Sequence, residues 1–318
     1  MLTQAELAKQ SMIDCFVASL LAMTGSSMKG RHAMPEYVNF FKMHGCGNDY
    51  IYFDMFDEDV RSKIQSPGAL SIKLSNRNKG IGGDGIVLIE PSSTADAKMR
   101  MFNADGSEAG MCGNAIRCIG KFLYENKRLM EQQIEIETIS GIKKLTINTT
   151  DGNVTSVKVD MGPAVMNPSD IPVSLTGDVI VGREVNISVR PYEITCVSMG
   201  NPHAVIFHDD VESFDLNTIG PLFEHARIFP DRINLEVAQM LGRNHIRMRV
   251  WERGTGETLA CGTGACAVAV AAVNLGFCDS QKDILVELRG GSLTINYTPK
   301  AVYMTGECIM VFEGRVPV

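Results

Sequence analysis

The sequence predicts an α/β (α+β) protein made of two similar halves, and three observations carry that reading. Short apolar runs bounded by Gly and Pro alternate with stretches of helical periodicity. The segment "RMFNADGSEAGMCGNAIRC" (100–118) returns as "RVWERGTGETLACGTGAC" (249–266). One ungapped register pairs Met99 with Met248, Arg100 with Arg249, Phe102 with Trp251, Glu108 with Glu257, and Cys112-Gly113 with Cys261-Gly262. Finally, "MHGCGNDYIYF" and "VSMGNPHAVIF" each hold Gly-Asn, two further residues, and an apolar run ending in Phe. Two copies of one α/β unit read as an internal duplication rather than an array.

The elements follow in order. "AELAKQSMIDCFVASLLAMTG" has helical spacing with a glycine stop. Glu6 and Asp14 interrupt it and Lys9 is its only early base, so it does not read as a signal peptide. Residues 1–36 read instead as an added helix, or as sequence ahead of a start at Met28 or Met34. "VNFFKMHGCGNDYIYFD" reads as strand, glycine loop, strand. Residues 60–79 look helical, broken at Pro67-Gly68. "GIVLIEP" and "MRMF" are buried strands, and "NAIRCIGKFLYENK" is a helix. "QIEIETISGIKKLTIN" alternates with period two about Ser140-Gly141, as a hairpin does. "VTSVKVDMG" adds a strand, a Pro/Gly-rich stretch covers residues 160–190, and the pattern restarts.

Composition narrows the function classes. The chain has 318 residues, 45% of them apolar and 21% charged, enough for a sizeable core or two domains. A net charge of -7 argues against nucleic-acid binding, which needs a basic face. No apolar run approaches the roughly 18 residues of a membrane span. The nine cysteines are odd in number and irregular in spacing, with no CxxC pair, which fits reduced thiols in a cytoplasmic protein rather than a disulfide framework or zinc site.

Cys112 and Cys261 stand out because each precedes a glycine at a helix start. Unpaired N–H groups and the helix dipole favour an anion there, either a thiolate or a carboxylate. A thiol of pKa about 8.5 needs roughly 2 kcal/mol of preferential stabilisation to reach 7. A helix start supplies about 0.3–1 kcal/mol, and up to about 2 when partly buried, while burial opposes ionisation. Two such cysteines on duplicated halves would face each other. One thiolate can remove a Cα proton from an amino acid whose carboxylate lies on the helix starts, and the opposing thiol can return a proton to the other face. That inversion needs neither a metal nor pyridoxal phosphate, so no cofactor is expected.

The sequence resembles the diaminopimelate epimerases, pyridoxal-independent isomerases of the lysine and cell-wall pathway. The resemblance runs from about Asn39 to the C-terminus and rests on "MHGCGNDY", "GIGGDG", "FNADGSEAGMCGNAIR", "MGNPHAV", "WERGTGETLACGTGA" and "VFEG". It implies two pseudo-symmetric domains, each a mixed or antiparallel sheet curled around a central helix, with the active site in the cleft between them. The implied domains are 37–156 with 307–318, and 157–306, after the 1–36 extension. It also implies a homodimer. Cys112 and Cys261 match the catalytic pair. Asn48, Asn103, Asn201, Asn234, Glu252 and Arg253 match substrate-binding positions. Gly113, Asn114, Gly262 and Thr263 match the helix-start groups that hold the reacting carboxylate. His203 and Glu252 match residues beside the sulfurs, and Arg253 suits a distal carboxylate. The sequence departs from the family at "CGNAIRC", where "CGNGARC" is commoner, and at Glu307-Cys308, where Pro-Ala is frequent.

Blander readings stand beside these. "GIGGDG" satisfies the dinucleotide fingerprint, but a strand rather than a helix follows it, so it reads as a turn lining the site. Cys118 and Cys266 read as packing thiols, Cys46 as a loop residue, and Glu125–Arg128 as a solvated helix face. The expected activity is interconversion of LL- and meso-2,6-diaminopimelate. The alternatives are a cofactor-independent racemase of another amino acid such as histidine, a thiol redox protein, and an amino-acid binding module.

Overall fold

Strand pairing carries the repeat. The computed structural model describes residues 36–318, so the helix expected near the N-terminus lies outside the described residues. In the first half, β1 (Tyr37–Gly45), β2 (Asn48–Asp54), β3 (Gly85–Glu90) and β4 (Ala97–Asn103) pair antiparallel, parallel and antiparallel in turn. β4 is then parallel to β6 (Gln133–Thr138), which leads into an antiparallel meander with β7 (Gly141–Thr150) and β8 (Asn153–Asp160). The second half repeats this succession with β10 (Arg190–Ser198), β11 (Pro202–Phe207), β12 (Asn234–Gly242), β13 (His245–Glu252), β15 (Asp283–Leu288), β16 (Gly291–Tyr297) and β17 (Val302–Gly306). Short β5 (Glu108–Ala109) and β14 (Gly256–Thr258) fold back on β4 and β13.

The halves join where β8 pairs antiparallel with β17. At the far ends, β18 (Ile309–Pro317) returns to β1, and β9 (Arg183–Ile187) lies on β10. Every pairing of the first half therefore has a counterpart in the second. The expected hairpin is present, with Thr138 opposite Gly141.

Each half holds one long helix, Gly113–Glu125 and Gly262–Asn274. The first is amphipathic, with Lys121 and Tyr124 only partly covered and Glu125 exposed at its end. The second, "GTGACAVAVAAVN", is small and apolar all round, as a helix enclosed on every side must be. Both belong to one continuous core that includes Ile116, Ile119, Ala267, Val270 and Met304. Cys118 and Cys266 are fully buried in it, as packing thiols are. Shorter helices, Glu58–Lys63 with Pro67–Ser75 and Leu216–Glu224, cover two outer apolar clusters, one per half. Pro67 opens its helix at the first turn, where its missing N–H costs nothing.

The charged run at 125–128 is exposed, as expected, and two of its charges are tethered. Glu125 accepts from Lys121 Nζ at 2.6 Å and from the Val154 N–H at 3.2 Å, and Arg128 donates to Asp54 at 2.7 Å. Among the described residues, no helix is long and apolar enough to cross a membrane.

Candidate active site

Cys112 and Cys261 are the N-cap residues of the two central helices. Their backbones match closely, with φ/ψ of -131°/121° and -121°/112°. Each helix begins at the next glycine, where a side chain would press on the same methionine. A Cβ on Gly113 would lie 2.5 Å from Met304 Cε, and one on Gly262 would lie 3.0 Å from Met304 Sδ. The two helix starts thus converge on a single methionine of β17. The same built Cβ on Gly262 would lie 3.7 Å from Asn114 Oδ1, so an amide from one half reaches the helix start of the other.

Around Cys112 the groups are amides and one cation. Its Sγ donates to Asn48 Oδ1 at 3.1 Å, and Asn114 Nδ2 reaches the same oxygen at 3.5 Å. Asn48 Nδ2 donates to Asp84 Oδ2 at 2.8 Å, which fixes which end of the amide faces the sulfur. Asp84 comes from "GIGGDG". That motif leads straight into β3 and not into a helix, so the dinucleotide reading fails and the loop serves to grip Asn48. Behind the first turn lies Arg117, fully buried, donating to Gly113 O at 3.1 Å and Asn114 Oδ1 at 2.9 Å. Burial pushes the Cys112 thiol up. The Ala115 and Asn114 N–H groups and then Arg117 pull it back in part, and Glu252 adds to the rise.

Around Cys261 the groups are acids. Its Sγ lies 3.3 Å from Thr263 Oγ1. A Cβ on Gly264 would lie 2.6 Å from Glu236 Oε1 and 3.3 Å from Cys261 Cβ, so the Glu236 carboxylate sits against the helix start beside the cysteine. Glu236 Oε1 is 2.7 Å from His203 Nδ1, and His203 Nε2 is 3.0 Å from Asn201 Oδ1; His203 and Glu236 are both fully buried. Burial pushes the Cys261 thiol well above its ordinary range, and the carboxylates of Glu252 and Glu236 add to the rise. The Thr263 hydroxyl and the Gly264 N–H offset only part of it. Burial thus outweighs the helix start at both cysteines. Glu252 itself is pushed up, by burial first, while hydrogen bonds from Thr258 and Cys261 act downward. Its carboxylate bears on both sulfurs.

A cavity of about 1020 Å³ opens beside these groups, lined from the first half by Asn48, Asp84 and Asn103 and from the second by Glu252, Thr258 and Ala260. Asn103 donates to Ser107 Oγ at 3.0 Å and is otherwise free to face the cavity. The Arg253 guanidinium donates to Asp231 O at 2.9 Å and is not among the groups lining this cavity. Asn234 is buried, donating to Pro202 O at 2.7 Å and accepting from the Arg253 N–H at 2.9 Å, so its amide holds backbone in place. Sequence reasoning missed Arg117, Glu236 and Asp84. A lone charge within an apolar stripe ("NAIRCIGKF") or an apolar strand ("NLEVAQM") was the available signal.

The fold is shared by solved proteins of low sequence similarity. A hydroxyproline epimerase from Agrobacterium vitis, solved with trans-4-OH-L-proline, aligns over 90% of this chain and 94% of its own, with a TM-score of 0.65 at 15% identity. A Bacillus anthracis phenazine biosynthesis protein of the PhzF family aligns over 89% and 100%, with a TM-score of 0.64 at 16% identity. Sequence similarity is more specific. The diaminopimelate epimerase family profile matches residues 40–167 and 195–311. The diaminopimelate epimerase of Acetivibrio thermocellus is 50% identical over 281 residues, covering 88% of this chain and 98% of the relative. That of Methanococcus maripaludis is 49% identical over 283 residues, covering 88% and 100%. The chain belongs to the diaminopimelate epimerase family.

Proposed function

We propose that the protein interconverts LL- and meso-2,6-diaminopimelate by two-base proton transfer at Cα. The observation that carries this reading is the convergence of two cysteine-capped helix starts, one from each half, on Met304, with Glu252 bearing on both sulfurs. The reacting carboxylate rests on the N–H groups of Gly113, Asn114, Gly262 and Thr263, where helix dipole and free donors favour it. Cα then lies between the sulfurs. One thiolate takes the Cα proton and the opposing thiol delivers its own proton to the other face, so the enzyme ends with the proton on the other sulfur. A thiolate that burial makes reluctant to form is a correspondingly strong base once formed. Glu252, raised by burial and near both sulfurs, is the acceptor that lets one thiol ionise.

Asn48 and Glu252 bind the substrate at the reacting end, and Asn103, farther along the cavity wall, receives the second amino-acid group. Asn201 and His203 support the site from the Cys261 side, and Asn234 holds the backbone of Arg253. Arg253 leaves the Asp231 carbonyl to meet the distal carboxylate. The relatives favour diaminopimelate over another amino acid such as histidine. The halves act as domains, 37–156 with 307–318 against 157–306, and the enzyme works as a cytoplasmic homodimer. The edge strand β18 offers the exposed Val311 and Phe312 to a second copy, and the mass in solution tests this.

The deciding measurement is Cα exchange in deuterium oxide with purified protein. Solvent deuterium should enter LL- and meso-diaminopimelate with inversion. Incorporation into histidine but not diaminopimelate would overturn the substrate, and full activity in Cys112→Ser would overturn the two-base mechanism.

A further inference from the structure

Among the described residues, only two buried side-chain nitrogen or oxygen atoms lack a hydrogen-bond partner: Arg117 Nε and Glu236 Oε2. They are opposite in charge, and each lies beside a different cysteine. Arg117 is fully buried, and no carboxylate among the described residues pairs with it. Its donors go to Gly113 O and Asn114 Oδ1, in the first turn after Cys112. Met304 Sδ at 3.7 Å and Cys46 Sγ at 3.9 Å are its other neighbours. A buried guanidinium without a counter-ion is costly. The fold tolerates it where a negative charge forms during turnover. Glu236 is the mirror case, fully buried against the Cys261 helix start with one oxygen unpartnered.

We propose that Arg117 and Glu236 are positioning residues that fix the order in which the two thiols ionise, Cys112 before Cys261, so that the free enzyme rests with its base on the Cys112 side and its acid on the Cys261 side. The inference rests on the two-thiol reading above. The groups facing Cys112 are Asn48 and Tyr50 of β2, Glu252 of β13, and Arg117 and Asn114 of its own helix. Those facing Cys261 are Glu252 of β13, Glu236 of β12 and Thr263 of its own helix. His203 is bonded to Glu236 and offsets part of its charge when protonated. Glu252 acts on both sulfurs, more strongly on Cys261, and so favours the same order. The groups that differ in sign are Arg117 and Glu236. Arg117 also holds Asn114 Oδ1, which leaves the Asn114 N–H₂ turned toward Asn48 and the Cys112 side.

The test needs no amino-acid substrate. Full-length protein is alkylated with iodoacetamide across a pH series, and the rate at each cysteine is read by peptide mass spectrometry. In the wild type, the Cys112 midpoint should lie at least about one pH unit below that of Cys261. Arg117→Gln should raise the Cys112 midpoint by about one unit, and Arg117→Lys, which keeps the charge, should restore most of it. Glu236→Gln, which keeps a partner for His203, should lower the Cys261 midpoint by about one unit. A purely structural role would change rates at every pH and leave the midpoints in place. Cys261 ionising first, or folded variants with unmoved midpoints, would overturn the proposal. Because the wild-type order is itself a test, a variant that fails to fold does not shelter the idea. Correct ordering without Cα exchange in diaminopimelate would sink the proposed activity and leave this inference standing.

Discussion

Cys112 and Cys261 hold equivalent places at the starts of equivalent helices and share Glu252, yet one has amides and a guanidinium beside it and the other a second carboxylate, Glu236. The repeat makes the substitutions explicit. Asn48, Asp49 and Tyr50 of the first half correspond to Asn201, Pro202 and His203 of the second. Val87, opposite Tyr52, corresponds to Glu236, opposite Val205. Asn103 corresponds to Glu252, and Arg117 to Cys266. What stayed the same is backbone: strand order, helix start, cysteine, glycine. What changed is charge. A reaction that places the same sulfur on both faces of one carbon needs the duplicated geometry. It also needs acid on one side and base on the other, which identical surroundings would not provide.

The largest test of that contrast is removal of each thiol in turn. Cys112→Ala and Cys261→Ala should each lower net epimerisation by at least about 10³-fold, within the range of a lost acid or base. The two should differ in what survives. Cys261→Ala keeps the sulfur beside Arg117 and should retain the greater deuterium exchange without inversion, read by NMR at Cα from each isomer. Equal residual exchange from both variants would make the difference in surroundings irrelevant to turnover.

The Arg–Glu pair aligned in the repeat gives the next contrast. Arg100 Nε–Glu108 Oε1 and Arg249 Nε–Glu257 Oε1 measure 2.7 and 2.8 Å, each with a second bond from Nη2. The side chains of the first pair are 32% and 32% exposed and those of the second 7% and 13%, so solvent screening differs. Arg249 also donates to Val211 O and Phe214 O, and Glu257 takes a further bond from Arg289. Glu257→Gln should therefore cost about 3 kcal/mol by leaving a buried guanidinium unpaired. Glu108→Gln should cost less than about 1 kcal/mol. Urea midpoints compare the two, and equal losses would refute the role assigned to burial.

How far the sequence could foretell this depends on distance along the chain. The cysteine, the glycine after it, the arginine and the glutamate lie within one ungapped segment, so a repeat exposes them, although the register did not say that the arginine and glutamate bond to each other. The main strands and the first long helix were legible from periodicity because each buries an apolar face, whereas the second long helix, apolar all round, was legible only through the repeat. Arg117 and Glu236 were visible as letters, but their isolation is a property of packing among distant strands. Likewise, nothing local says that Arg253 rests on the Asp231 carbonyl, or that Asp84 grips Asn48 from a separate loop.

Gly264 offers a smaller but sharper contrast, because the equivalent residue of the first half is Ala115. Ala115 is fully buried without strain, whereas a Cβ on Gly264 would meet Glu236 Oε1 at 2.6 Å. Gly264→Ala should cost about 1–3 kcal/mol through overpacking, despite alanine's better helix propensity. Ala115→Gly should cost about 1 kcal/mol from propensity alone. Adding Glu236→Ala to Gly264→Ala should recover most of the overpacking loss. Thermal unfolding of the four proteins decides it, and no recovery would mean that Glu236 is not what excludes the side chain.

The smallest effect separates the halves by pH. Asp49 is held between Lys42 and Arg77, whereas its counterpart Pro202 carries no charge. Burial alone would raise the Asp49 carboxyl, but hydrogen bonds from Arg77 and then Lys42 outweigh it and the net shift is downward. A carboxyl depressed on folding contributes stability that is fully present above its unfolded value of about 3.9 and is lost as pH falls through the folded value. Asp49→Asn should therefore lower stability by on the order of 1 kcal/mol at neutral pH. The gap to wild type should close as the wild-type carboxyl protonates, since both proteins then present a neutral group to Lys42 and Arg77. Urea midpoints measured from neutral pH into acid give the gap directly. If it stayed constant down to the lowest pH at which the chain folds, the loss would come from shape rather than charge, and the ion pair would have no part in distinguishing the first half from the second.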